Sequence, residues 1–204
     1  MTAFTVHTID TAPEDSRETL RHVRETLGMI PNLAAAMAES PTLLRSFFTV
    51  RDIYAQGSMG PIEIQVLSLT NAFENGCEWC MALHSALALK EGLSKADLSR
   101  LRAGNAPADA RLRVLSDFSR SMVRNRGSVS AQDLEAFYAG GFTRAQALEV
   151  VLGAAFSVMA NFAGHLAHAP LGLPFEAHAW TKPGGSAGDG TIRTPSVQAP
   201  SLAG

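Results

Sequence analysis

Apolar residues recur along this chain at helical spacing, segment after segment, and each run is closed by glycine or reopened by proline or a capping hydroxyl. Met1 to Asp10 alternates weakly and reads as extended. Thr11, followed by Pro13-Glu14-Asp15, supplies an N-cap, an early proline and acidic first-turn residues, which predicts a helix to about Leu27, ended by Gly28. Met29 to Leu33 reads as an apolar connector fixed by Pro31, and a short helix follows over Ala34 to Glu39. From Thr42 to Ala55, Leu43, Leu44, Phe47, Phe48, Val50 and Tyr54 keep helical spacing until Gly57 to Gly60 break the run. Pro61 opens a helix made apolar on most faces by Ile62, Ile64, Val66, Leu67, Leu69 and Phe73, the pattern of a central helix.

Beyond Asn75-Gly76 the pattern predicts a helix from Cys77 to Gly92 and a shorter one capped by Ser94 and Asp97 that ends near Gly104. Another runs from Pro107 to Gly127, one follows Ser130 through Phe137 and Tyr138, and a last one extends from Thr143 to about Ala167. No segment sustains period-two alternation, so the expected class is all-α: roughly eight helices in one domain over residues 1–180, with the cysteine pair at the start of a central helix. Residues 181–204, with Pro183-Gly184-Gly185-Ser186, have the composition of a flexible tail.

Composition narrows the partners. The 204 residues are 46% hydrophobic, enough for one substantial core, and a net charge of −2 without a basic run lacks the footprint of a nucleic-acid binder. The N-terminus has no basic region leading into an apolar segment, and no apolar stretch is expected to reach the ~18 residues of a membrane span, so a soluble cytoplasmic protein with neither nucleic acid nor membrane as partner is expected. In a reducing compartment a close cysteine pair points to catalysis or metal binding rather than a static staple.

Both cysteines lie in Cys77-Glu78-Trp79-Cys80-Met81-Ala82-Leu83-His84. Residues 77, 80 and 84 stand at i, i+3 and i+7, which sets both sulfurs and the imidazole along one stripe of a helix. The turn at Asn75-Gly76 puts Cys77 in the first helical turn, where free N–H groups and the helix dipole favour a thiolate. Three readings stay open on these residues alone: a dithiol/disulfide centre, a metal site, and two buried cysteines that only pack. A structural zinc site needs four ligands, and beyond these three the next histidine pair, His165 and His168, is far downstream on an apolar helix.

Met29-Ile30-Pro31-Asn32, Glu39-Ser40-Pro41, Glu63-Ile64-Gln65, and above all Asn75-Gly76-Cys77-Glu78-Trp79-Cys80 with His84-Ser85-Ala86 together resemble the carboxymuconolactone decarboxylase superfamily, in its AhpD-like alkylhydroperoxidase branch. The resemblance runs from about residue 15 to about residue 175. It implies an all-helical fold round a CxxC helix, assembled as a homo-oligomer (dimer, trimer or hexamer). It also implies a thiol peroxidase or disulfide reductase acting on hydroperoxides, recharged by an external dithiol or lipoyl-type reductant, with no metal or organic cofactor held permanently. By that resemblance Cys80 attacks, Cys77 resolves and exchanges with the reductant, and His84 carries the proton. The helix-dipole argument instead favours Cys77 as the lower-pKa thiol. Where the family's relay has a glutamate, twelve residues before the first cysteine, this chain has Gln65, and a neutral amide orients a histidine without accepting its proton. Glu74, three residues before Cys77, is the expected substitute, ahead of Glu63. Trp79 and Met81 are expected mainly to pack, and Asn161, His165 and His168 to cap, pack or meet a neighbouring subunit. The alternatives are a non-redox lactone decarboxylase or isomerase of the same superfamily, against which the thiol pair argues, and a redox-responsive helical oligomer without turnover.

Overall fold

The computed structural model describes residues 4–184, and among these the regular structure is entirely helical. Ten helices follow one another: α1 (Glu14–Leu27), α2 (Asn32–Met37), α3 (Pro41–Tyr54), α4 (Pro61–Asn75), α5 (Glu78–Lys90), α6 (Lys95–Arg102), α7 (Ala110–Arg124), α8 (Ala131–Ala139), α9 (Arg144–Ala167) and α10 (Leu173–Glu176). The all-α expectation holds. The count exceeds roughly eight, most plainly because α10 spans only four residues, too few to leave a periodic signal.

Helix α4 is the hub, packed against α5, α6, α7 and α9. Its Val66, Leu67, Leu69 and Ala72 are buried, which accounts for a helix apolar on most of its faces. Two apolar clusters flank it. The larger gathers Leu20, Val23, Leu44, Phe48, Trp79, Met81 and Trp180 from α1, α3, α5 and the C-terminal segment. The second is aromatic, with Phe137 stacked between Phe118 and Phe142 at centroid distances of 4.2 and 4.5 Å.

Several boundaries differ from the sequence reading for local reasons. Thr11 closes a turn by accepting from Thr8 N, so α1 starts at Glu14 with Pro13 at its N-cap, while residues 4–8 form no strand. Asp109, not Pro107, opens α7, because its carboxylate accepts from Leu112 N at 2.9 Å. Helix α9 does meet the length and apolarity of a membrane span, contrary to the sequence expectation, yet Gln146, Ser157 and Asn161 of the same helix are buried within the bundle.

After α9 the chain reverses at His168, which adopts a left-handed conformation (φ 47°), and returns as a strap over α5 and α6. Trp79 Nε1 donates to Pro170 O, Trp180 Nε1 donates to Arg102 O, and the Arg102 guanidinium binds the carbonyls of His178 and Ala179. Of the expected tail, residues 181–184 are described: Lys182 Nζ donates to Glu74 O and stands 5.0 Å from the Phe73 ring centre. Residues 185–204 and the first three lie outside the described part.

Candidate active site

The turn between α4 and α5 sets the sulfurs. Gly76 takes a left-handed conformation (φ 71°) that ends α4, and Cys77 N then donates to Ala72 O at 2.9 Å, folding α5 back along α4. Cys77 is therefore the N-cap of α5 rather than a first-turn residue, and its Sγ accepts from Cys80 N at 3.3 Å. A sulfur stands where serine or aspartate usually caps, so ionisation of Cys77 is favoured by the N–H groups that a cap must satisfy.

Both cysteines are free and buried. The Cys77 thiol is held below its ordinary pKa, first by a hydrogen bond from the Cys80 thiol, then, against the cost of burial, by the N–H groups of Cys80 and Trp79 and the Asn161 amide. Cys80 is pushed well up by that same bond, by burial and by the negative charge of Cys77. Of the two, Cys77 is thus the readier to ionise, with the Cys80 S–H donating to its sulfur. Gly164 of α9 lies so close that a Cβ added there would stand 3.1 Å from Cys77 Sγ.

His84, one turn beyond Cys80 on α5, places Nδ1 2.8 Å from Gln65 Oε1 of α4. An amide oxygen only accepts, so Nδ1 carries the hydrogen and Nε2 is the free base. Burial lowers the imidazole pKa to about 4, leaving it neutral near pH 7.

Cys80, His84, Gln65, Ser157 and Asn161 share the wall of one cavity of about 640 Å³, otherwise lined largely by apolar groups of α2, α3, α9 and α10. Cys77 does not line it and lies behind Cys80. The connector expected to pack also contributes Met29 and Pro31 to this wall. Trp79 both packs and lines the cavity, its ring 6.0 Å from that of Phe175, whereas Met81 is wholly in the core.

Glu74 corrects the sequence reading. It does not fold back over the thiols: its carboxylate is clamped by Arg120 Nε at 2.9 Å and Arg124 Nε at 2.7 Å on α7. Glu63 is engaged too, accepting from Gly60 N and from Arg111 Nε. Neither carboxylate stands in for the missing relay glutamate, so Gln65 alone contacts His84 at that position. His165 Nε2 donates to Asn75 O, satisfying a carbonyl at the end of α4, and His168 is the C-cap of α9. Among the described residues no cluster of three or more His, Cys, Asp or Glu could hold a metal ion.

Sequence reasoning passed over Asn71 and Ser157, both buried beside the site. The signal was present as polar residues four apart on apolar helices, Asn71 with Asn75 and Ser157 with Asn161, since a polar group in such a stretch must find a partner.

Fold and site define an all-helical protein built round a half-buried CxxC helix whose second cysteine faces an apolar cavity. Residues 41–117, from the start of α3 into α7, match the model of the Carboxymuconolactone decarboxylase family. The solved alkylhydroperoxidase AhpD core of an uncharacterized peroxidase-related protein from Ralstonia eutropha JMP134 superposes with a TM-score of 0.76 at 21% identity, covering 85% of this chain and 93% of that one. A peroxidase-related protein from Silicibacter sp. TM1040 gives 0.69 at 20% identity over 85% and 93%. The debrominase Bmp8, solved with 2,3,4-tribromopyrrole, gives 0.69 at 14% identity over 87% and 96%. No curated protein matches the chain. The segment that carries the CxxC thus matches the carboxymuconolactone decarboxylase family model, and the fold is similar to that of the AhpD core.

Proposed function

We propose that this protein is a thiol peroxidase that reduces organic hydroperoxides with the Cys77–Cys80 pair. The observation that carries the reading is the division of labour between the sulfurs: Cys80 and His84 face the cavity, while Cys77, the more acidic of the two, lies behind Cys80. His84 Nε2 takes the Cys80 proton, and the Cys80 thiolate attacks the terminal peroxide oxygen. An S–O bond forms as the O–O bond breaks, sulfur is oxidised by two electrons, and the departing alkoxide takes the proton from His84. The Cys77 thiolate then attacks the Cys80 sulfenic acid, closing the disulfide and releasing hydroxide, which solvent protonates. An external dithiol returns both electrons by thiol–disulfide exchange. This assigns attack to the cysteine with the higher pKa, because access decides: the more acidic sulfur does not face the cavity.

The test mixes reduced protein with an organic hydroperoxide and follows peroxide and free thiols together. Loss of one peroxide per thiol pair, abolished by Cys80→Ser and leaving a trappable sulfenic acid in Cys77→Ser, supports the reading. Thiols that stay reduced sink it. The cavity, larger than a simple alkyl hydroperoxide requires, favours a second reading in which the same two electrons reduce a halogenated aromatic with release of halide. The debrominase neighbour makes this worth assaying beside the first.

A further inference from the structure

Two buried asparagines of α4 reach across to α9 in parallel. Asn71 Nδ2 donates to Ser157 Oγ at 3.1 Å, while Asn71 Oδ1 accepts from Ser119 Oγ of α7 at 2.7 Å. One turn on, Asn75 Nδ2 donates to Asn161 Oδ1 at 2.8 Å. Each bond orients its partner on α9. With its oxygen engaged, Asn161 offers the N–H groups of Nδ2 towards the sulfurs. With an Asn71 N–H already on Ser157 Oγ, the Ser157 hydrogen must point elsewhere, and among the described residues it has no acceptor. Ser157 is buried and lines the cavity.

Helix register sets Ser157 beside the reacting sulfur. Cys77 N bonds Ala72 O and His84 bonds Gln65, so α5 runs antiparallel to α4, and Cys80 stands level with about residue 69 of α4. Ser157 stands level with Asn71. At 1.5 Å per residue the two differ by about 3 Å along the axis, on the walls of one cavity, with Asn161 about 6 Å further along α9.

We propose that Ser157 Oγ–H and Asn161 Nδ2 form a two-donor site that holds the alkoxide oxygen as it leaves the hydroperoxide, while Cys80 takes the terminal oxygen. The inference rests on the peroxidase reading and adds a catalytic residue to it. Two fixed donors on the wall of a largely apolar cavity are the arrangement that stabilises charge developing on oxygen. The two donors hold the departing oxygen until the proton that His84 takes from Cys80 reaches it. Ser119 and Asn71 act as positioning residues that aim the Ser157 hydrogen.

The experiment measures thiol oxidation in wild type, Ser157→Ala and Ser157→Thr by stopped flow, with cumene hydroperoxide and with peracetic acid. The leaving group of the peracid is a carboxylate, a weak base with little need of donors. Ser157→Ala should slow the alkyl hydroperoxide reaction by about 10- to 100-fold, alter the peracid reaction much less, and leave alkylation of Cys80 by iodoacetamide unchanged. Ser157→Thr, which keeps the hydroxyl, should recover most of the loss. Equal slowing with both oxidants, or none with either, overturns the two-donor site while leaving the peroxidase reading intact. A wild type whose thiols react with neither oxidant overturns both.

Discussion

Gln65→Glu tests the electrostatics of the site with hardly any change of shape. The imidazole Nδ1 stands 2.8 Å from Gln65 Oε1, so a carboxylate there would put opposite charges about 4 Å apart. At an effective dielectric of about 20 that attraction amounts to about 4 kcal/mol for the protonated imidazole, or about three pKa units before the carboxylate's own desolvation is subtracted. His84, now at about 4, should rise to about 6–7. A stronger base on the path of the Cys80 proton should raise the rate of thiol oxidation near pH 7 by about tenfold, since about half of a two-unit gain in basicity is commonly expressed in a proton-transfer transition state. The assay is a pH profile of oxidation by an organic hydroperoxide, with the His84 imidazole followed by NMR. An acid limb that stays within about half a unit of wild type, or a rate at pH 7 that does not rise, refutes the argument that Gln65 leaves the relay without a carboxylate.

Asn161→Ala removes one of the hydrogen bonds that hold the Cys77 thiol down, so its titration, read by thiolate absorbance, should move upward; an unchanged midpoint would show that Asn161 does not act on the sulfur. Gly164→Ala should push Cys77 away from α9 and slow disulfide closure more than peroxide attack, measured as sulfenic acid accumulating before thiol loss is complete. Glu74→Gln leaves the inward guanidinium of Arg120 with only the exposed Asp117 as counter-charge and should destabilise the fold by about 2 kcal/mol in urea melts, while the folded fraction keeps wild-type peroxide kinetics. His84 itself adds a pH term: the unfolded chain binds a proton at about 6.5 and the folded chain only at about 4, so stability falls as pH drops between those values. At about 1.4 kcal/mol per pKa unit the loss reaches at most about 3 kcal/mol, less where cavity water solvates the ring. It should be absent in His84→Gln.

The class of the fold was legible because the glycine stops and hydroxyl caps at Gly28, Gly76, Ser94, Ser130 and Thr143 act within a few residues of themselves, and the structure uses each of them. The Cys77, Cys80 and His84 stripe was legible for the same reason. Glu74 was misread because spacing along one helix does not say what the next helix brings: Arg120 and Arg124 arrive from about fifty residues away. Ser157 was missed for the mirror-image reason, since a serine in an apolar helix looks neutral until Asn71 stands opposite. The choice between sulfurs also lay beyond periodicity, because it turns on which of them reaches the cavity.

The paired amides have a further consequence for how this chain finds a single structure. Helices α4 and α9 are both apolar over wide faces, and smooth apolar surfaces can slide past one another at little cost. Because Asn71 and Asn75 meet Ser157 and Asn161 at matched four-residue intervals, a slip of one turn, about 5.4 Å, would still join one pair but strand a buried amide at one end and a hydroxyl or amide at the other. Each stranded group would cost about 1–3 kcal/mol. The two rungs therefore work as a vernier that reads helix registry. The donors that face the sulfurs are also the notches that keep those sulfurs in line.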